Sequence, residues 1–112
     1  MASHVFLAAL DSELRQALIR RLSRAGELEF TPLAVFEGLH LGDVVVTTSP
    51  HCSVSLCASL AGQGVRVVVL APLPSAQEEA EYLKAGGSAY LPMVIDVEPL
   101  QRELVRLTGH SH

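Results

Sequence analysis

Cysteine, lysine and tryptophan are scarce in this chain of 112 residues. It has two cysteines, Cys52 and Cys57, one lysine, Lys84, and no tryptophan. Two cysteines are too few for the disulfide framework of a small secreted domain, so we expect a cytoplasmic protein. No stretch approaches the roughly 18 consecutive apolar residues of a membrane span. The opening residues MASH lack the basic segment and the cleavage site of a signal peptide.

Charge is sparse as well. Charged residues make up 18% of the chain, against about 25% in an average globular domain, and the formal net charge is −4. This balance excludes a general attraction to nucleic acid or to an anionic membrane. Apolar residues account for 49% of the chain, which excludes disorder and indicates strands buried on both faces.

Five apolar, β-branched runs alternate with helical patterns. The predicted strands cover residues 4–10, 28–34, 43–48, 65–71 and 88–92, and the predicted helices begin near residues 12, 53, 76 and 96–99. The segment 35–41, between the second and third strands, is long enough for one or two helical turns. Strict alternation predicts a single doubly wound α/β domain, 1–112, with a five-stranded parallel sheet, a shortened second helix and a flexible tail at 109–112.

Single residues refine this prediction. Pro32 removes a hydrogen bond from the sheet, so we expect the second strand at an edge. The unbroken apolar run 43–48 is typical of the centre of a parallel sheet. Ser75 and Glu78 have the spacing of a capping box at the start of a helix. The spacing of Leu100, Leu104 and Leu107 predicts the inner face of the last helix.

The segment 83–92, LKAGGSAYLP, follows a strand, a short loop and a capped helix. This order resembles the receiver domains of bacterial response regulators (CheY-like). In that family the helix ends in an alanine-glycine-alanine step, followed by an aromatic residue, an aliphatic residue and a lysine-proline pair. The segments 11–15 (DSELR) and 95–100 (IDVEPL) also look like this family. The resemblance covers essentially the whole chain and implies a flavodoxin-like (βα)5 fold.

The chain departs from the family where phosphorylation takes place. The resemblance implies an acidic pair after the first strand, a phosphoacceptor aspartate after the third, a hydroxyl after the fourth and a lysine after the fifth. The aligned positions hold Ala9, Leu10, Thr48, Ala71 and Met93. Mg²⁺ needs carboxylate oxygens, threonine is a poor nucleophile without a base or a metal, and methionine has no charge for a phosphoryl group. The resemblance carries over one functional residue, Tyr90, as the switch aromatic.

We therefore expect no catalytic residue, no cofactor and no metal. Ala9, Leu10, Ala71 and Met93 are predicted to pack together as an apolar plug, so that Leu10→Asp destabilises the fold. Asp11, one position beyond the usual pair, is interpreted as a helix cap. Without a nucleophile–base or acid–base pair at the carboxyl edge of the sheet, an enzyme is the least favoured class.

Two further groups of polar residues allow alternative readings. Thr47, Thr48, Ser49 and Ser53 form either an anion-binding cluster or, as we favour, a set of hydroxyls that satisfy backbone groups. His51 and Cys52 invite a metal or nucleophile interpretation, but a zinc site needs three or four ligands, and the nearby Cys57 is expected in the core. The roles of His51, Cys52 and the histidines of the tail stay open.

The sequence thus favours a phosphorylation-independent pseudo-receiver that acts as a protein-interaction module in signal transduction. The alternative is a regulatory domain that binds a small ligand at the carboxyl edge of the sheet. In receivers, the resemblance implies, the face around the fifth strand carries the output. Here this face is predicted to bind a signalling protein or a second copy of the chain through Glu78, Glu81, Tyr82, Tyr90, Arg102 and Arg106. The two tyrosines are read either as exposed contact residues or as partly buried ones.

Overall fold

The computed structural model describes residues 3–8, 12–22, 28–33, 35–93 and 98–108. Its strands are β1 (Ser3–Ala8), β2 (Leu28–Leu33), β3 (Val44–Thr48), β4 (Arg66–Ala71) and β5 (Ala89–Pro92). Its helices are α1 (Ser12–Leu22), α2 (Val54–Gly62), α3 (Ala76–Lys84) and α4 (Glu98–Thr108). None of these described helices is long and apolar enough to cross a membrane.

The five strands form one parallel sheet in the order β2-β1-β3-β4-β5. Both predictions about strand position are confirmed. Pro32 lies in the edge strand β2, opposite Leu7 of β1, and β3 lies at the centre with every residue buried. A central strand needs apolar side chains on both faces because helices cover both, and the run of three valines in β3 provides them.

The helices α2 and α3 begin where serines cap them. The hydroxyl of Ser53 accepts a hydrogen bond from the backbone N–H of Leu56 at 3.1 Å. Ser75 does the same for the N–H of Glu78 at 3.0 Å, which confirms the predicted start of α3. Each serine thereby satisfies one of the backbone donors that the first helical turn leaves without a partner.

The predicted short helix between β2 and β3 is wrong. Residues 35–43 form bends and turns. Gly42 adopts a positive φ of 90° and donates its N–H to the carbonyl of Gly64, a conformation that no right-handed helix allows. Phe36 and Leu39 pack against the core in place of a helical face, while Leu41 is 82% exposed.

Two apolar clusters fill the space on either side of the sheet. On one side, Leu18 of α1 packs with the inner face of α4. That face consists of Leu100, Leu104 and Leu107, as the sequence predicts. On the other side, Cys57 and Leu60 of α2 and Tyr82 of α3 cover the strands. This sandwich leaves the loops after β3 and β4 at the carboxyl edge of the sheet, where doubly wound folds place their functional sites.

Candidate functional site

The structure brings three of the five aligned positions to the carboxyl edge of the sheet. Thr48 ends β3, Ala71 ends β4, and Met93 directly follows β5. Backbone hydrogen bonds hold these strand ends in register, since the N–H of Met93 donates to the carbonyl of Ala71 at 2.9 Å. Ala9, Leu10 and Asp11 lie outside the described residues, so the expectations for them stay predictions.

Thr48 is engaged by its own loop. Its hydroxyl lies 2.8 Å from Nδ1 of His51, and its carbonyl accepts hydrogen bonds from the N–H groups of His51 and Cys52. The expectation that no nucleophile–base contact exists at this edge is therefore wrong, because a hydroxyl next to an imidazole is such a contact. The threonine is nevertheless 4% exposed, so its hydroxyl holds the turn after β3 rather than facing a substrate.

The apolar plug needs correction for the two positions that the structure describes. Ala71 is fully buried in the cluster on the α2 and α3 side of the sheet. Met93 is half-buried and packs against the cluster on the opposite side, with α1 and α4. Ala71 pairs with Pro92 across β4 and β5, and successive residues of a strand point to opposite faces of the sheet. Met93, the next residue, therefore lies on the other side of the sheet from Ala71. Both positions are apolar as predicted, but they do not pack with each other.

Tyr82 and Tyr90 form a buried pair above the sheet. Their rings stack with centroids 5.9 Å apart and an angle of 27° between the planes. The hydroxyl of Tyr82 donates to the backbone carbonyls of Cys52 and, at 3.3 Å, Ser49, in the loop after β3. The hydroxyl of Tyr90 donates to the Glu78 carboxylate and accepts the N–H of Ser75, at the start of α3. The pair thus ties both loops of the carboxyl edge to the core.

Of the two readings of the tyrosines, the structure supports burial over exposed contact residues. Tyr82 is 4% exposed and Tyr90 is 8% exposed, so neither ring is free to contact a partner in this conformation. Burial disfavours the ionised phenol, which raises the pKa of Tyr82 to about 12 and also raises the pKa of Tyr90. Both hydroxyls therefore remain protonated donors at neutral pH.

The charged residues of the predicted interface lie on two helices that flank β5. Both α3 and α4 contact this edge strand, from opposite sides of the sheet. Glu81 of α3 and Arg102 and Arg106 of α4 are exposed, and Arg106 pairs with the half-buried Glu103 one turn earlier. We call this surface the α3–β5–α4 face. An open depression of about 260 Å³ lies along its α4 side, lined by Arg102, Arg106 and their neighbours Glu98, Gln101 and Val105.

The two cysteines are buried free thiols. Both side chains are fully buried beneath α2. Burial raises the pKa of Cys52 to about 11 and also raises that of Cys57. A protonated, enclosed thiol is neither a nucleophile nor a metal ligand. Within the described ranges, no group of three His, Cys, Asp or Glu side chains could share a metal ion, and the histidines of the tail lie outside these ranges.

One feature of the edge was not predicted. A hollow of about 280 Å³ opens between the loops after β3 and β4, lined by Ser49, Pro50, Pro72, Leu73 and Glu78. We call it the carboxyl-edge hollow. The sequence did contain the residues that form it, a proline after β3 and the segment 72–75 (PLPS) after β4. Only the parallel pairing of β3 with β4 brings these distant segments to one place.

Solved structures match the fold of this chain, whereas comparison of its sequence with family models and curated proteins finds no relative. No family model matches the chain, and no curated protein matches it. A response regulator from Thermotoga maritima superposes with a TM-score of 0.79 at 11% identity, over 97% of this chain and 99% of that one.

The Francisella response regulator 1452 receiver domain gives a TM-score of 0.78 at 21% identity, over 98% and 99% of the two chains. HP1043, an orphan response regulator of H. pylori, gives 0.75 at 14% identity, over 95% and 96%. The chain therefore has the flavodoxin-like fold of CheY-like receiver domains.

Proposed function

We propose that this chain is a pseudo-receiver, a module that binds a signalling protein without accepting a phosphoryl group. The receiver fold suggests two-component signalling. The observation that carries the proposal is the chemistry of the three described positions at the carboxyl edge. A buried hydroxyl, a fully buried alanine and a half-buried methionine stand where the family has an acceptor carboxylate, a hydroxyl and a lysine. None of them supplies a charge to bind Mg²⁺ or a phosphoryl oxygen.

Fixed tyrosines are consistent with a module that works in one conformation. In the receiver family the resemblance implies a switch aromatic at the position of Tyr90. Here the ring of Tyr90 is buried, stacked on Tyr82 and hydrogen-bonded at the start of α3. These contacts involve residues of the chain itself and need no phosphoryl group. These contacts support a surface around β5 that is presented without phosphorylation, and we assign partner binding to the α3–β5–α4 face.

The test is exposure of the isotopically labelled protein to Mg²⁺ with acetyl phosphate or with beryllofluoride. We expect no added mass and no change in the amide spectrum at Thr48, His51, Ala71 or Tyr90. A receiver with all five acidic, hydroxyl and lysine positions intact serves as the positive control under the same conditions. An adduct, or a spectral change that needs Mg²⁺, would contradict the proposal. The variants Thr48→Val and His51→Ala would then locate the acceptor.

A small-ligand regulatory domain remains the second candidate, and the carboxyl-edge hollow favours it. Doubly wound folds bind ligands at this edge. The hollow offers two polar side chains, Ser49 and Glu78, and Glu78 already accepts a hydrogen bond from Tyr90. Its volume of about 280 Å³ lies just below the range of about 300–1,000 Å³ typical of small-molecule sites. A fragment screen followed by amide shifts of Ser49 and Leu73 separates this candidate from a pure interaction module.

A further inference from the structure

Proline rings and buried tyrosine hydroxyls hold the walls of the carboxyl-edge hollow. Pro50 lies on one wall and Pro72 on the other, and each ring fixes its backbone φ angle. Beneath them, the hydroxyl of Tyr82 holds the carbonyls of Ser49 and Cys52. The hydroxyl of Tyr90 holds the start of α3, where Glu78 lies. A preformed site loses little conformational entropy when a partner binds, so this hollow is suited to binding.

An apolar side chain stands at the rim of the hollow. Leu73 lies between Pro72 and Pro74 and is 86% exposed, more than any other large apolar residue of the described chain. Scattered exposed leucines are common on protein surfaces. A leucine at the mouth of a hollow walled by prolines is a different case, because an apolar side chain of a partner could cover it and remove its surface from water.

The charged side chain that the structure places in the lining of the hollow is acidic, Glu78. Between Val44 and Lys84 the other formally charged side chains are Glu79, Glu81, Lys84 and Arg66, and Lys84 lies in the last turn of α3, at the opposite end of the helix from Glu78. Arg66 is the first residue of β4, at the opposite edge of the sheet, and its guanidinium donates to the carbonyl of Leu107. The hollow therefore lies on a surface that attracts cations and repels anions.

Glu78 reaches the hollow directly. One of its carboxylate oxygens accepts the hydroxyl hydrogen of Tyr90, which fixes the orientation of the side chain. A carboxylate has about four acceptor positions, so this bond leaves most of its capacity for a second donor. An arginine or lysine side chain supplies such a donor together with the complementary charge, and a long aliphatic stem that packs against prolines.

We propose that the carboxyl-edge hollow binds a basic side chain of a partner protein, arginine or lysine, whose apolar sequence neighbour covers Leu73. The volume of about 280 Å³ suits one long side chain better than a cofactor. This site adjoins the α3–β5–α4 face, with which it shares Glu78, and gives the interaction module a contact of defined chemistry. The inference extends the proposed function, since it names what part of a partner this chain recognises.

The experiment uses the full chain labelled with ¹⁵N and three blocked tetrapeptides, at concentrations up to about 10 mM, which covers weak single-site affinities. The first peptide has arginine next to leucine, the second has glutamate in place of the arginine, and the third has serine in place of the leucine. We expect the first to shift the amide signals of Ser49, His51, Leu73 and Glu78. The second should not bind, and the third should bind more weakly. Added salt should weaken the first complex.

Two variants assign the binding to the hollow. Leu73→Ser removes an exposed side chain without touching the core, and we expect it to weaken binding about tenfold. Glu78→Gln should weaken it about two- to fivefold, as expected for a partly exposed ion pair. Leu83→Ser is the matched control, because Leu83 is also an exposed leucine but lies outside the hollow. This control should bind like the unmodified chain.

Several outcomes would overturn the inference. They are the absence of any shift with the arginine–leucine peptide, equal binding of the glutamate peptide, shifts confined to other surfaces, or unchanged binding by Leu73→Ser. Binding of a neutral fragment in preference to the basic peptide would assign the hollow to a small ligand instead. If the molecular mass from light scattering grows with protein concentration, and Leu73→Ser abolishes this growth, the hollow would be assigned to a second copy of the chain. None of these results bears on phosphorylation, so failure here is distinguishable from failure of the proposed function.

Discussion

Tyr82 of α3 and Tyr90 of β5 stack with ring centroids 5.9 Å apart, and their hydroxyls bind the two loops at the carboxyl edge of the sheet. Tyr82 holds the loop after β3, and Tyr90 holds the loop that leads into α3. One aromatic pair therefore fixes the edge where a working receiver carries its chemistry, and it does so from within the core.

Tyr82→Phe tests this connection. The substitution keeps the ring in its place and removes the hydroxyl that donates to the carbonyls of Ser49 and Cys52. A buried acceptor that loses its donor costs about 1–3 kcal/mol, so we expect the free energy of unfolding to fall by about this amount. Urea denaturation measures it. Tyr90→Phe is the matched control and should cost less, since Glu78 can turn towards water. Equal stability of Tyr82→Phe and the unmodified chain would show that these bonds contribute nothing.

Alkaline pH should destabilise the fold, because the thiol of Cys52 and the phenol of Tyr82 would have to ionise while buried. The pKa of Cys52 rises from an ordinary 9.0 to about 11 and that of Tyr82 from 10.0 to about 12, because burial disfavours the charged forms. The pKa of each group is higher in the folded chain than in the unfolded chain. Its contribution to the free energy of unfolding is therefore complete below the pKa of the unfolded chain and is lost as the pH rises through the pKa of the folded chain. Stability should hold up to pH 9.0 and fall progressively towards pH 12.

Urea midpoints across this pH range measure the effect, and Cys52→Ala should make the loss smaller. The same burial should protect the native thiols from an aromatic disulfide reagent at neutral pH. Rapid reaction of either cysteine in the folded chain would disprove the enclosed environment of Cys52 and Cys57. Reaction should instead appear together with unfolding in denaturant.

Gly86→Ala should be among the more damaging single substitutions outside the core. Gly86 has a φ of 106°, and a Cβ there would lie 2.7 Å from the Cβ of Ala61 in α2. The strained backbone and the clash with a packed helix predict a loss of about 1–3 kcal/mol, read from thermal or urea unfolding. Gly62→Ala is the control, because nothing lies within 4 Å of its added Cβ. It should be neutral or stabilise α2 by about 0.5 kcal/mol.

Reversing the charge of α4 tests the α3–β5–α4 face. Arg102 and Arg106 are both exposed, so Arg102→Glu/Arg106→Glu should change the captured partner or the mass from light scattering while the fold stays intact. Each exposed pair contributes only about 0.2–1 kcal/mol, so the double change is needed. Arg20→Glu/Arg21→Glu is the control, because both arginines are exposed and lie on α1, a helix that is not part of this face. If the α4 variant changes neither mass nor partners, the face is not the interface.

Local patterns in the sequence were enough for most of the framework. Pro32 cannot donate to a neighbouring strand, so an edge position follows from its covalent structure, and β2 does lie at an edge. Ser75 caps α3, and the spacing of Leu100, Leu104 and Leu107 gives the buried face of α4. The absence of a carboxylate at Thr48, of a hydroxyl at Ala71 and of a lysine at Met93 was equally visible, because residue type alone determines it.

Tertiary structure decided what depends on residues far apart in the chain. Tyr82 is buried because its acceptors come from the loop after β3, 30 and 33 residues earlier. Residues 35–43 do not form the predicted helix, because Phe36 and Leu39 contact the core and Gly42 donates a hydrogen bond to Gly64. No local pattern in the sequence reveals these contacts. The carboxyl-edge hollow exists because β3 and β4 pair in parallel and bring two proline-containing loops together. Sequence sets the preference of each segment, but contacts between segments supply the free energy that overrides it.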